Sequence, residues 1–156
     1  MIYKIGLGFD VHRLIKAKKA LVLGGVKIPS PFSLKAVSDG DVVLHAVSDA
    51  LCGAAGLGDI GDYFPPSRKF AGLDSRKIVK VILNRIKKNF KIKNIDIVIV
   101  TEKPKLLPHK KNIRKSLENI FGIRAINVKV KSKEKLDILG GKSAISCFAV
   151  ALLGKK

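Results

Sequence analysis

Residues 38–64, SDGDVVLHAVSDALCGAAGLGDIGDYF, restrict the fold more than any other part of the chain. Asp41, His45 and Asp49 recur every four residues, and Val42, Val43, Leu44, Ala46, Val47, Ala50 and Leu51 fill the positions around them. Four-residue spacing stacks the three polar groups on one face of a helix. The other faces are apolar or small, so such a helix must be buried by the rest of the chain. A soluble helix usually keeps its charges on its wet face. A polar row on so apolar a helix therefore has two readings. It holds a metal ligand with hydrogen-bonding support, or it is a row of solvated charges, and the helix alone leaves both open. Asp39 or Asp41 is placed to cap the first turn.

Upstream, Tyr3–Phe9 reads as a short strand ending at Gly6 and Gly8, followed by Asp10-Val11-His12. In extended chain, residues i and i+2 point the same way, so Asp10 and His12 converge while Val11 faces inward. That is ligand geometry for a divalent ion, although any D-x-H segment meets it. Arg13–Lys19 reads as a basic loop, and Leu21–Leu23 and Val26–Ile28 as a hairpin about Gly24-Gly25. Pro29 and Pro31 then break regular structure, and Ser30–Gly40 is expected to be a mobile loop.

Downstream of the central helix, Gly56-Leu57-Gly58-Asp59-Ile60-Gly61-Asp62 has two readings. Its glycines let backbone approach a ligand closely, with Asp59 accepting from ribose hydroxyls, or the run is a helix C-cap and turn. Ile78, Val79, Ile82 and Ile86 fall at helical spacing, which predicts an amphipathic helix over Ser75–Asn89. Ile95–Thr101 is a short β-branched run and reads as a buried strand. A turn at Pro104–Pro108 leads into a helix over Pro108–Phe121 that Gly122 ends. Ala125–Lys131 and Ala144–Leu153 read as two further strands.

A length of 156 residues suits a single domain, here taken as 1–156. Basic residues outnumber acidic ones by 31 to 12, for a net charge of +19. That balance favours an anionic partner such as nucleic acid, a phosphorylated metabolite or a membrane surface; the alternative is a surface of solvated lysines. The basic runs 87–93, 103–115 and 129–135 contain a single aromatic, Phe90, which falls short of a base-stacking platform. No motif of a nucleic-acid reader is present. Cys52 and Cys147 lie in apolar runs and read as buried free thiols. The N-terminus has no secretory h-region, and no apolar run reaches the length of a membrane span. A reducing, cytoplasmic setting follows as the expectation.

The ordered motifs are G-x-G-F-D-V-H-R-L at 6–14, L-G-G-V-x-I-P at 23–29, S-D-G-D-V-x-L-H-A-x-x-D-A-L-x-G-A-A-x-L-G-D-I-G-x-x-F-P at 38–65 and P-K-x-L-P-H at 104–109. N-V-K at 127–129, E-K-L at 134–136 and A-V-A-L-L at 149–153 follow. Across essentially its whole length the chain resembles the 2-C-methyl-D-erythritol 2,4-cyclodiphosphate synthases of the non-mevalonate route to isoprenoids. The resemblance implies an α/β (α+β) fold in one domain, with a mixed four-stranded sheet, helices on one face and a small hairpin. It implies a homotrimer with active sites between subunits. It also implies zinc at Asp10, His12 and His45 with a fourth position open, a ligand set that suits catalytic zinc. The implied substrate is 4-diphosphocytidyl-2-C-methyl-D-erythritol 2-phosphate. Its 2-phosphate attacks the β-phosphorus and CMP leaves, in a phosphorus–oxygen lyase reaction that rests on positioning and charge stabilisation. Glu134 matches the carboxylate for a second ion, Mg²⁺ or Mn²⁺, between the phosphates.

Other substrate positions carry over residue by residue. Asp10, Val11 and His12 align with substrate contacts, as do Val37 and Ser38. Asp59 and Gly61, with Ile60 and Phe64 beside them, match the ribose and diol end. Thr101, Glu102, Lys103, Pro104, Lys105, Leu106 and Leu107 match the segment that recognises cytosine, largely through backbone groups. Ser132 matches a hydroxyl at the phosphates, Ile138 a further contact, and Ser132 and Lys142 are the expected catalytic side chains. The chain departs from the family at four places. Val37 replaces a histidine, Pro66-Ser67-Arg68 replaces an acidic set, Gly141 replaces an arginine with Lys142 one place off, and Lys131-Ser132-Lys133 replaces a threonine-rich loop. Loss of one preorganised donor costs on the order of 10²–10³ in rate. The alternative reading is therefore a catalytically weakened homologue that binds cytidine nucleotides or isoprenoid diphosphates.

Overall fold

Alternation along β1 (Tyr3–Lys16) sorts its side chains onto two faces. Gly6 and Gly8 face the interior with Asp10 and His12, while Ile5, Leu7, Phe9 and Val11 face out and are exposed in the single chain. Hydrogen-bonding to β1 and beyond are β4 (Phe32–Lys35), β5 (Phe90–Val100), β6 (Ile126–Lys131) and β7 (Ala144–Lys155). The computed structural model, which describes residues 1–156, orders them β4-β1-β7-β5-β6. The sheet is mixed: β5 and β6 are parallel and the other pairs antiparallel. β2 (Leu21–Leu23) and β3 (Val26–Ile28) form the separate hairpin. No helix is long and apolar enough to cross a membrane.

The central helix α1 (Val42–Ala55) lies across β1 and β7. Its approach is close because β1 presents no side chain at two positions. A Cβ on Gly6 would overlap the Ala50 carbonyl oxygen, and one on Gly8 the Ala46 carbonyl oxygen. Asp41, not Asp39, caps the helix, accepting the N–H groups of Val43 and Leu44 at 3.1 Å each. Gly56 ends it in the left-handed conformation, φ 71°. α2 (Ser75–Ile86) buries Ile78, Val79, Ile82 and Ile86, and α3 (Lys110–Phe121) buries Ile113, Leu117 and Phe121. With Ile95, Ile97 and Ile99 of β5 and Ala149 and Ala151 of β7, most of these residues form one apolar core.

Several expectations are corrected. The sheet has five strands rather than four, because Phe32–Lys35, placed in a mobile loop, pairs with β1 from Arg13↔Lys35 to Lys16↔Phe32. The same pairing turns the first half of the expected basic loop into strand. Ser33 and Leu34 are both buried, so β4 shows no alternation by which to recognise it. Val11 does not face inward: Asp10 and His12 occupy the face toward α1, and pleating sends Val11 to the other. α2 stops at Ile86 rather than Asn89, since β5 already begins at Phe90, opposite Lys155. Pro108 belongs to a 3₁₀ turn, Leu107–His109, that leads into α3.

Gly53 offers a control for the close approach. A Cβ there would meet only ordinary contacts of 3.9 Å and more. Gly8→Ala is expected to lower unfolding free energy by about 1–3 kcal/mol in urea titration. Gly53→Ala should leave it unchanged or raise it by up to about 1 kcal/mol, as alanine does in a helix interior.

Candidate active site

The contact between α1 and β1 sets His45, in the first turn of α1, against Asp10 and His12. His45 Nδ1 lies 2.9 Å from Asp10 Oδ2, and His12 Nε2 lies 3.1 Å from the same oxygen. The two ring nitrogens are 3.5 Å apart. Burial disfavours a charged Asp10, but hydrogen bonds and charge from His12 and His45 outweigh it and hold the carboxyl well below its usual range. Burial likewise disfavours charged His45, yet its hydrogen bond to Asp10 and the nearby carboxylates raise its pKa.

The far side of the His45 ring is equally constrained. His45 Nε2 lies 2.9 Å from Ser75 Oγ and 3.4 Å from Ser38 Oγ. The Ser75 hydroxyl donates to Asp39 Oδ1, and the Ser75 N–H donates to Asp39 Oδ2 at 2.9 Å. A hydroxyl that gives its one proton to Asp39 can only accept from His45. His45 therefore carries a proton on Nε2 and, when neutral, turns its Nδ1 lone pair toward Asp10 and His12.

These residues fit a divalent ion. Two ring nitrogens and a carboxylate oxygen converge, with all ligand atoms within 4.8 Å of one another. Tetrahedral zinc with bonds of about 2.0–2.1 Å places its donors about 3.3 Å apart, and the separations here run from 2.9 to 3.5 Å. The hydrogen bond behind the ligating imidazole is the usual support of a metal-bound histidine.

The other two carboxylates near the helix take structural work. Asp41 is fully buried and accepts the N–H groups of Gly24 (2.8 Å) and Gly25 (2.7 Å) besides those of its own helix, tying the hairpin to the start of α1. Burial pushes its carboxyl up to about 6, against those donors. Asp49 accepts the Ile60 N–H at 2.8 Å and so anchors the turn that follows α1. In that turn Asp59 accepts the Gly61 N–H at 2.7 Å, which is a local cap, and its exposed side keeps room for another partner.

Beside the Asp10–His12–His45 cluster is a cavity of about 210 Å³ lined by His12, Val37, Ser38, His45, Ile60 and Phe64, with Pro65, Pro66, Phe70 and Leu73 among the rest. The cavity gathers much of the expected metal and diol end. Val37 is 48 % exposed at its edge. None of Thr101–Leu107, Ser132, Glu134, Ile138 or Lys142 lines it. Thr101–Leu107, Ser132 and Glu134 follow the ends of β5 and β6, where the Thr101 N–H donates to the Lys131 carbonyl and Ser132 Oγ donates to Glu134, while Ile138 and Lys142 lie in the segment before β7. Lys142 is exposed.

Two features were not anticipated from sequence. The first is the Asp39–Ser75 pair behind His45: Asp74-Ser75 reads as a helix cap, Asp74 performs that role, and the Ser75 hydroxyl goes to Asp39 instead. The second is Lys133, 1 % exposed, whose ammonium donates to the carbonyls of Leu139 (2.8 Å), Gly141 (2.7 Å) and Ala144 (2.9 Å). Nothing in a lysine-rich run marks one lysine as buried.

Known proteins resemble the chain in sequence and in fold. The YgbB family model matches residues 3–154. The 2-C-methyl-D-erythritol 2,4-cyclodiphosphate synthase of Treponema denticola is 46 % identical over 96 % of this chain and 95 % of its own. The CDP complex of IspF from Plasmodium falciparum superposes with a TM-score of 0.86 at 38 % identity, covering 99 % of this chain and 97 % of that one. The bifunctional IspDF of Campylobacter jejuni gives a TM-score of 0.92 at 35 % identity, over 99 % of this chain, which spans 42 % of that longer protein. The chain belongs to the YgbB family, that of the cyclodiphosphate synthases its motifs resemble.

Ser75→Ala removes the acceptor behind His45 and is expected to weaken zinc affinity by about 10–100-fold in chelator competition. Because the His45 pKa is raised, zinc must displace a proton below that value. Apparent affinity in the wild type should fall as pH drops through the raised pKa and level off above it.

Proposed function

We propose that the chain converts 4-diphosphocytidyl-2-C-methyl-D-erythritol 2-phosphate to 2-C-methyl-D-erythritol 2,4-cyclodiphosphate with release of CMP. The observation that carries this reading is the convergence of Asp10, His12 and His45, in a chain that matches the family from residue 3 to 154. In the reaction a 2-phosphate oxygen bonds to the β-phosphorus, the bond from that phosphorus to the bridging oxygen breaks, and the electron pair leaves on CMP. The nucleophile lies within the substrate, so the protein's task is to fold the substrate on itself and exclude competing water.

Asp10, His12 and His45 would hold zinc, and Glu134 would hold Mg²⁺ or Mn²⁺ with the substrate's phosphates. Bound there, the ions supply Lewis-acid polarisation and charge neutralisation. Thr101–Leu107 hold the cytosine, chiefly through backbone groups. Asp59, Ile60, Gly61 and Phe64 seat the ribose and diol, with Val37 and Ser38 beside them in the cavity, and Val11, whose side chain faces the other way, offers the substrate its backbone. Ser132 and Lys142 donate to the phosphates, and Ile138 packs beside them.

The functional unit is a homotrimer of single domains, residues 1–156, with sites completed between subunits. Two observations support this. The outer face of β1 exposes Ile5, Leu7, Phe9 and Val11, with Leu7 68 % exposed, an apolar patch that a second copy would cover. The cavity beside the metal ligands also lacks the base-reading segment within one chain, and a neighbour would supply it. Two buried free cysteines accord with a cytoplasmic setting.

Purified protein loaded with Zn²⁺ and Mg²⁺ is expected to release CMP from this substrate, and chelator or His45→Ala should abolish the release. No turnover at full metal loading rejects the reading. Leu7→Lys is expected to give monomers in sedimentation velocity, with CMP release lost and zinc binding at Asp10, His12 and His45 retained.

A further inference from the structure

Thr101–Leu107 and Ser132–Lys135 leave the ends of adjacent parallel strands, where Val100 of β5 pairs with Lys131 of β6. One side chain bridges the two segments. Glu102 Oε1 accepts the N–H of Lys133 at 2.6 Å and that of Lys135 at 3.2 Å. The turn it holds is not one that the chain adopts freely. Glu134 has φ 53° and Lys135 φ 62°, and neither is glycine. Side chains disfavour the left-handed region, and such residues persist only where their surroundings over-determine them.

Here the surroundings act from two sides. Successive N–H groups of a left-handed turn form a concavity that takes an anion, and the anion is the Glu102 carboxylate. On the other side the buried Lys133 ammonium fastens the turn to the carbonyls of Leu139, Gly141 and Ala144. Between these anchors Ser132 Oγ donates to the Glu134 carboxylate, so the turn decides where both groups point.

We propose that Glu102 is a positioning residue. Its carboxylate holds the turn Ser132–Lys135 in the left-handed form that aims Ser132 and Glu134, and so couples the base-reading segment to the phosphate-handling turn. The role of the turn rests on the functional reading above; the geometry of the clamp does not. A Glu102 that instead touched the base would act without regard to backbone strain at Lys135, and this separates the two roles. Glycine takes positive φ without steric cost, so Lys135→Gly should compensate for loss of the clamp.

Amide hydrogen exchange and CMP release, with Mg²⁺ titrated, are compared for the wild type, Glu102→Gln, Glu102→Ala and Glu102→Ala/Lys135→Gly. In Glu102→Ala the Lys133 and Lys135 amides should exchange on the order of tenfold faster or more. Its kcat should fall on the order of 10–10²-fold and its Mg²⁺ half-saturation rise about tenfold, with zinc affinity unchanged. Glu102→Gln keeps an acceptor oxygen but not the charge, and should fall between wild type and Glu102→Ala in both exchange and kcat. Lys135→Gly should recover most of the lost kcat. Glu102→Met, of similar length and without an oxygen, serves if the alanine variant does not fold. Unchanged exchange at Lys133 and Lys135 overturns the proposal, and so does a loss confined to KM that Lys135→Gly does not rescue. If the wild type releases no CMP, the functional reading fails and the exchange comparison still decides the clamp.

Discussion

The molecule turns on a place where two backbones meet with nothing between them. β1 offers hydrogen atoms at Gly6 and Gly8, and α1 lays the carbonyls of Ala50 and Ala46 against them. Close packing of this kind transmits position rather than absorbing it. The height of α1 above the sheet is therefore also the height of His45 above Asp10 and His12. A layer of methyl groups in that gap would part the three ligands beyond the reach of one ion. The strand carries two candidate ligands on the face it turns to the helix, and the helix carries the third in its opening turn, so the core contact and the geometry of the candidate metal site are one constraint.

Around this contact, carboxylates act as fasteners. Asp41 joins the hairpin glycines to the helix start. Asp39 reaches Ser75 at the start of α2 and, through that hydroxyl, fixes which ring nitrogen of His45 faces the ligand cluster. Asp49 pins the next turn through Ile60. Each joins separate segments of the chain by accepting backbone N–H groups that no other residue of the fold satisfies. Of the two readings of the polar row, the geometry favours the ligand with support over the solvated face: one candidate ligand, His45, is flanked by two anchors.

Much of this was legible in sequence, for identifiable reasons. α2 and α3 show apolar residues at helical spacing, and β5 shows a β-branched run; burial on one face, or on both, writes those patterns directly. The metal trio was legible because each part satisfies a local rule: D-x-H in extended chain, and histidine one turn into a helix. β4 was not, because a four-residue strand with both Ser33 and Leu34 buried has no period to detect. The orientation of Val11 was missed because an inward apolar residue is the default, and here two ligands had already taken the inner face. The Asp39–Ser75 pair joins residues 36 apart, and Glu102 meets Lys133 and Lys135 across two strands. Such pairings exist only after the sheet has formed. Lys133 was invisible for a further reason, since its neighbours Lys131 and Lys135 are not buried and only the fold separates it from them.

The fastening role of the carboxylates also bears on the charge of the whole chain. Of twelve acidic residues, Asp137 alone accepts no hydrogen bond. Acids have been kept almost solely where the architecture employs them, while exposed positions free of such duty carry lysine. The net charge of +19 then follows from basic residues of which only Arg76, Arg114 and Lys129 pair with a carboxylate. Mutational tolerance should be lopsided in consequence: solvated lysines are open to wholesale exchange, whereas Asp39, Asp41, Asp49, Asp96 and Glu102 are joints whose removal loosens two segments at once.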